Sequence, residues 1–170
     1  VDSKKLYRAI VSYVKDVAPT LEKKIELFQK SVPIFDTFQI ESEIEKSLAR
    51  KVWMKSGGYL IFDHTEALVA IDVNSGKFVG RKGHDENSLR VNLEAAREIA
   101  RQLRLRDIGG IIVIDFIDMI DPKNRKRLHE EFKKELKKDR AQANITPISE
   151  FGLIEMTRER VRPSLMFTFS

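Results

Sequence analysis

Gly109-Gly110-Ile111-Ile112-Val113-Ile114-Asp115-Phe116-Ile117 is the stretch that decides the fold. Two glycines interrupt what precedes them, four branched or apolar residues follow without a break, and a carboxylate then arrives inside sequence that is still apolar. An apolar run of this length bounded by turn residues reads as a buried central strand of an α/β sheet. Such sheets place their ligands beyond the carboxyl ends of their strands. Asp115 stands at that end, where an unpartnered carboxylate would be costly. A second run, Ala67-Leu68-Val69-Ala70-Ile71, ends in the same way in Asp72, with Asn74 and Ser75 just beyond. Two carboxylates at neighbouring strand ends could share a hard divalent cation.

The flanking sequence supplies the remaining elements. Between the two runs, Leu89, Leu93, Ala96, Ala100 and Leu103 recur at helical spacing. After Asp115, a loop ends at Pro122, which suits the first turn of a helix. Leu128, Phe132 and Leu136 then line one face of that helix. Upstream, Lys51–Lys55 alternates, Ser56-Gly57-Gly58 is a turn, Tyr59–Phe62 resumes the strand pattern, and Asp63-His64-Thr65-Glu66 is a second turn before the strand Ala67–Val73. Connections this short predict an antiparallel meander, with Trp53 in the core. Gly76, Gly80 and Gly83 punctuate a basic loop that carries Lys77, Arg81 and Lys82, with His84 also read as part of it. Near the N-terminus, Leu6, Ile10, Val11, Val14 and Val17 predict a helix closed by Pro19. Lys24–Gln29 suggests a short strand, Pro33–Phe38 a packed loop, and Gln39–Arg50 a helix with acidic residues early and basic ones late. Pro147 breaks the chain before a last strand, Gly152–Met156. The expected fold class is α/β, a mixed sheet with flanking helices.

Composition narrows the function. Lys and Arg total 31 against 26 Asp and Glu, a net charge of +5 that permits a polyanionic partner. Cysteine is absent, which rules out a disulfide or a thiolate zinc site. No apolar stretch has the length of a membrane span. Val1 leads directly into charged residues, so no secretory signal is visible and the cytoplasm is the expected location. The absence of an initiating Met suggests a processed or excised piece of a longer protein.

Asp72 and Asn74 are two residues apart, which on a strand puts both side chains on one face. A carboxylate and a neutral amide so placed could hold a metal and a phosphate oxygen. Equally, Asp72 could cap a turn and Asn74 open a loop. Asp115 favours the first reading, and Asp118 is a weaker candidate. Two carboxylates with one divalent ion suit phosphodiester hydrolysis, because Mg²⁺ takes oxygen ligands and keeps several waters. Arg97, Arg101 and Arg104 follow one helical face, with Arg106 soon after. Lys123, Arg125, Lys126 and Arg127 open the next helix. These are candidates for contact with a nucleic-acid backbone, although Glu130, Glu131 and Glu135 dilute the second cluster. None of the histidines has a partner at metal-ligand spacing, and no Ser-His-Asp order or phosphate-binding glycine loop is present.

Several blocks together resemble the bacterial ribonuclease E/G family. They are Ala67-Leu68-Val69-Ala70-Ile71-Asp72-Val73-Asn74-Ser75, Asn92-Leu93-Glu94-Ala95-Ala96, Ile99–Arg106, Gly109–Met119 and Gly152–Arg158. Gly76-Lys77-Phe78-Val79-Gly80 and Met156-Thr157-Arg158 lean toward its ribonuclease G branch. The resemblance runs over nearly the whole chain. It implies hydrolytic cleavage of single-stranded RNA leaving a 5′-phosphate, with Asp72 and Asp115 as Mg²⁺ ligands and Asn74 bonding near the scissile phosphate. It also implies that residues 49–170 form a deoxyribonuclease-I-like catalytic subdomain and 1–48 the last part of a ribonuclease-H-like one. An oligonucleotide-binding barrel, a 5′-end sensor and a Cys-containing zinc link that joins two protomers belong to the family's longer members, and none is found here. Homo-oligomerisation would therefore rest on regions outside this chain. Arg104, Arg106, Lys123, Arg125, Lys126 and Arg127 are the expected RNA contacts. Two alternatives stand beside the endoribonuclease: a module that binds RNA or protein without chemistry, and a phosphodiesterase that acts on DNA.

Overall fold

The structure is a computed structural model that describes residues 1–76 and 84–160. The basic loop residues Lys77, Arg81 and Lys82 lie outside the described residues. The chain forms two compact units, 1–46 and 47–170.

The first unit holds α1 (Lys4–Val17), a 3₁₀ segment (Pro19–Lys24) and α2 (Ile34–Thr37); α3 (Ile40–Leu48) runs across the boundary. Ser3 caps α1 by accepting a hydrogen bond from the Leu6 amide. None of the α1 residues is buried. The strand expected at Lys24–Gln29 does not form. Lys24 closes the 3₁₀ segment, and the stretch has no ladder to join, only single backbone bonds to Val1 from either side of Leu27. Pro33–Phe38 is a short helical turn rather than a packed loop, and Phe35 and Phe38 are exposed.

The second unit is built on a six-stranded mixed sheet. Its strands are β1 (Lys51–Trp53), β2 (Tyr59–His64), β3 (Leu68–Asn74), β4 (Gly110–Asp115), β5 (Ala143–Ile145) and β6 (Leu153–Arg158). Their order across the sheet is β1-β2-β3-β4-β6-β5. The meander β1-β2-β3 is antiparallel, as the turn spacing predicts. Gly57, at φ +89°, makes the first turn. Asp63 and His64 belong to β2 and not to the second turn, because both pair with β3. The step from β3 to β4 is parallel and needs a crossover, which is α4 (His84–Leu105). His84 is therefore the first residue of a helix rather than part of a loop. α5 (Pro122–Leu136) starts at the N-cap Asp121, whose side chain accepts from the Lys123 amide. β5 was not expected from the sequence: three residues give no readable alternation, and the strand exists because β6 offers an edge.

One face of the sheet carries the core. Leu60, Phe62, Val69, Ile71, Val73, Ile112, Ile114 and Ile154 are buried against Leu89, Ala95, Ile99 and Leu103 of α4 and Leu128, Phe132 and Leu136 of α5. Each large side chain among them contributes about 1.5–3 kcal/mol by leaving water. Among the described residues of this unit the other face is open. Ile111 is 53% exposed and Asp115 lies in solvent, so β4 is buried on one side and not on two. Among the described residues of this unit both long helices belong to a single layer, and this leaves the strand-end carboxylates accessible.

Candidate active site

Asp72 is the fifth residue of β3 and Asp115 the last of β4, and the parallel ladder sets them directly beside each other. Register partners on neighbouring strands point to the same face, with backbones about 4.8 Å apart. Both carboxylates project from the open face. Asn74, two residues on, shares that face, and its Nδ2 donates a 2.7 Å hydrogen bond to Asp72. The turn-cap alternative for Asp72 and Asn74 is thereby set aside, since both lie within the strand.

Among the described residues, negative charge gathers at the site. Partial burial, the Asp72 carboxylate and the Asp118 carboxylate together lift the Asp115 carboxyl above the ordinary aspartate range. β4 ends at Asp115, so Asp118 is not carried off along a continuing strand but turns back into the same field. Gly152, at φ +80°, lets the turn before β6 close on this loop: a Cβ there would lie 2.6 Å from the Phe116 carbonyl oxygen and 3.3 Å from Asp118 Oδ1. Among the described residues no three His, Cys, Asp or Glu side chains gather closely enough to bind a metal unaided. The protein side therefore offers two carboxylates, and an ion there would complete its shell with water and substrate oxygens. That donor set fits Mg²⁺, which dehydrates reluctantly and is held by one or two carboxylates beside phosphate.

The loop that follows Asp115 is fixed by residues whose part could not be assigned from the sequence. Asn92, fully buried on α4, clamps Ile117 from both directions: Nδ2 donates to the Ile117 carbonyl at 2.7 Å, and Oδ1 accepts from its amide at 3.0 Å. Asp85 accepts from the Ile120 amide at 2.6 Å and from Asn124 Nδ2. Desolvation works against the Asp85 charge, but these bonds outweigh it and hold its carboxyl below the ordinary range. Asn92 stands inside an amphipathic stripe and opens one of the blocks that carry the family resemblance, which signals a buried polar contact without naming its partner.

The basic residues divide. Arg106 is 1% exposed, donates to Gln102 Oε1 and to the Ala49 carbonyl at 2.8 Å each, and stacks 4.4 Å over the Phe62 ring. Burial, only partly offset by Glu98, lowers its pKa to about 10. It is a structural residue and not an RNA contact, because its guanidinium is sealed in the fold. Arg104 lies away from the acidic pair. Its charge acts on Asp139, which binds Arg158 beside Gly110, at the opposite end of β4 from Asp115 and about 16 Å along the strand. Arg125 donates to the Met119 and Ile120 carbonyls and so secures the loop. Lys123, Lys126 and Arg127 remain exposed at the start of α5, just past that loop. Trp53 is 63% exposed on the open face, so it is not the core residue its alternating strand suggested.

Comparison with known proteins agrees over the same span. Residues 1–161 match the Ribonuclease E/G family. The chain is 48% identical over its whole length to the Ribonuclease E/G-like protein, chloroplastic, of Arabidopsis thaliana, of which it spans 17%. Over 97% of its length it is 46% identical to Ribonuclease G of Escherichia coli (strain K12), spanning 34% of that protein. Over the same share it is 45% identical to Ribonuclease E of Haemophilus influenzae, spanning 18%. It thus covers about a third or less of these relatives. With matching sequence blocks, a carboxylate pair in register and a family match that leaves out only its last residues, the chain belongs to the Ribonuclease E/G family.

Proposed function

We propose that this chain is the catalytic part of a Mg²⁺-dependent endoribonuclease that hydrolyses single-stranded RNA to 5′-phosphate products in RNA processing and decay. The observation that carries the proposal is the lateral pairing of Asp72 with Asp115 on the open face of the sheet, with Asn74 hydrogen-bonded to Asp72. The names of the relatives supply the polymer. Residues 49–170 would be the deoxyribonuclease-I-like catalytic subdomain, and 1–48 the last part of a ribonuclease-H-like one.

Asp72 and Asp115 would hold the ion, which, when bound, supplies charge neutralisation at the scissile phosphate and favours attack by water. Asn74 donates one amide hydrogen to Asp72 and keeps a second for a non-bridging phosphate oxygen. The water oxygen bonds to phosphorus, the P–O3′ bond breaks, and the 3′ oxygen leaves with a proton. The downstream product keeps the phosphate on its 5′ end. Lys123, Lys126 and Arg127 hold neighbouring phosphates at the mouth of the site. The Asn92 clamp keeps the Asp115 loop rigid, because misplacing a reacting group by even 1 Å is costly in rate.

The test is cleavage of a labelled single-stranded RNA by the wild-type chain, Asp72→Asn and Asp115→Asn, with Mg²⁺ or with EDTA, and with the product ends identified by mass. The expected result is 5′-phosphate products from wild type alone, abolished by EDTA. Cleavage at the wild-type rate by either variant overturns the metal assignment. Tight RNA binding with no cleavage in any condition marks the chain as a binding module. Equal cleavage of a DNA oligomer of the same sequence removes the assignment to RNA.

A further inference from the structure

The open face carries an aromatic pair whose purpose packing does not explain. Trp53 on β1 is 63% exposed, and Tyr59 on β2 is its register partner. The two rings meet edge to face with centroids 5.3 Å apart at 61°. The Lys51 ammonium lies 4.0 Å from the Trp53 centroid and 3.6 Å from the Tyr59 centroid. Burying a tryptophan side chain is among the largest hydrophobic gains a fold can make, and this one is left in water.

Its position across the sheet ties it to the carboxylates. Trp53 pairs with Tyr59, and Tyr59 with Asn74. In the adjacent row Lys51 pairs with Ile61, Ile61 with Asp72, and Asp72 with Asp115. Register partners share a face, so the rings, the lysine and the acidic pair lie in two neighbouring rows of one surface. Trp53 stands two strand spacings from Asn74, about 10 Å.

We propose that Trp53, with Tyr59 and Lys51, is a stacking subsite for an unpaired RNA base a short way along the strand from the cleaved phosphate. This rests on the ribonuclease reading above and extends it to how substrate is held. A base is the favoured occupant because the cluster combines what single-stranded nucleic acid offers: a flat π surface for the indole and an anionic backbone for the ammonium. Every base has such a surface, so the subsite requires an unstacked base but does not select its sequence. It favours single strands over duplex.

Trp53 is the chain's only tryptophan, so intrinsic fluorescence reports on it alone. The experiment titrates an oligouridylate, and an abasic ribose-phosphate oligomer of the same length, into the Asp115→Asn chain, which binds without cutting. The expected result is saturable quenching by oligouridylate and little by the abasic strand. In the same background, Trp53→Ala should weaken oligouridylate affinity about ten-fold by anisotropy, and Trp53→Phe should restore most of it. Because Trp53 is exposed, Trp53→Ala is expected to keep the wild-type unfolding midpoint, and the Phe variant controls for any loss of fold. Equal quenching by both oligomers, or unchanged affinity in Trp53→Ala, overturns the subsite. So does an emission shift that depends on protein concentration without RNA, which would place a second copy on this face. Cleavage abolished by EDTA together with either result leaves the nuclease reading standing while the subsite falls. Base-dependent quenching without any cleavage has the opposite meaning.

Discussion

Replacing Asp115 with Asn should make the protein more stable while it removes activity. Asp72 and Asp115 are like charges side by side on adjacent strands. Two unit charges about 5 Å apart repel by about 0.8 kcal/mol at the dielectric of water and about 3 kcal/mol at an effective value of 20. Both carboxylates face solvent, so screening holds the effect near the lower figure, about 0.5–1 kcal/mol, in line with like charges directly opposite in other sheets. For a chain of this size that raises the melting temperature by about 1–4 °C. The pH dependence has a definite sign. The folded-state pKa of Asp115 is raised, so wild type loses stability as pH rises through that value. The advantage of the variant should appear above the raised pKa and vanish below the ordinary aspartate value of 3.8. The assay is thermal or urea unfolding of both chains in EDTA across pH and at two salt concentrations. Adding Mg²⁺ at ten times its Kd should then stabilise wild type by about 1.4 kcal/mol and the variant by less. The electrostatic account is refuted if Asp115→Asn melts at or below wild type in EDTA at neutral pH, or if its advantage is the same at pH 3 as at pH 7.

Three further outcomes follow from the contacts around the site. Asn92→Ala leaves the Ile117 amide and carbonyl without partners and should cost about 2–4 kcal/mol in urea unfolding, with a larger fall in kcat than in KM. Arg106→Met should destabilise the fold by about 1–3 kcal/mol, since it strips the Ala49 carbonyl and Gln102 of their donor, yet leave the salt dependence of RNA binding unchanged. Lys123→Ala and Lys126→Ala should do the reverse, with unaltered unfolding midpoints and a slope of log affinity against log salt reduced by about 0.7 for each lost phosphate contact.

Much of this architecture is legible in the chain because its elements are strongly patterned. The apolar runs before Asp72 and Asp115, the hairpin signal at Ser56-Gly57-Gly58, the stripe from Leu89 to Leu103 and the Pro122 helix start all correspond to elements of the structure. The short pieces are not legible. β5 exists only as a partner for β6, and the apparent strand at Lys24–Gln29 has no edge to join, because strand formation depends on pairing that local alternation cannot supply. Side-chain fate is also hidden. Arg106 and Lys123 are both basic residues on or near helices, and only the fold shows that one is sealed over Phe62 while the other meets solvent. Trp53 shows the opposite case, an aromatic in an alternating strand that meets Tyr59 and Lys51 and stays 63% exposed.

Local chemistry, carried by residue type and spacing, was enough to specify the α/β class, the two strand-end carboxylates and the companion amide. It could not specify that β3 and β4 lie side by side, parallel and in a register that sets Asp72 against Asp115 rather than one residue away. A shift of one residue would send the two carboxylates to opposite faces. That register depends on the whole buried face, from Val69 and Ile71 to Ile112 and Ile114 against α4 and α5, because only the packed core penalises the wrong alignment.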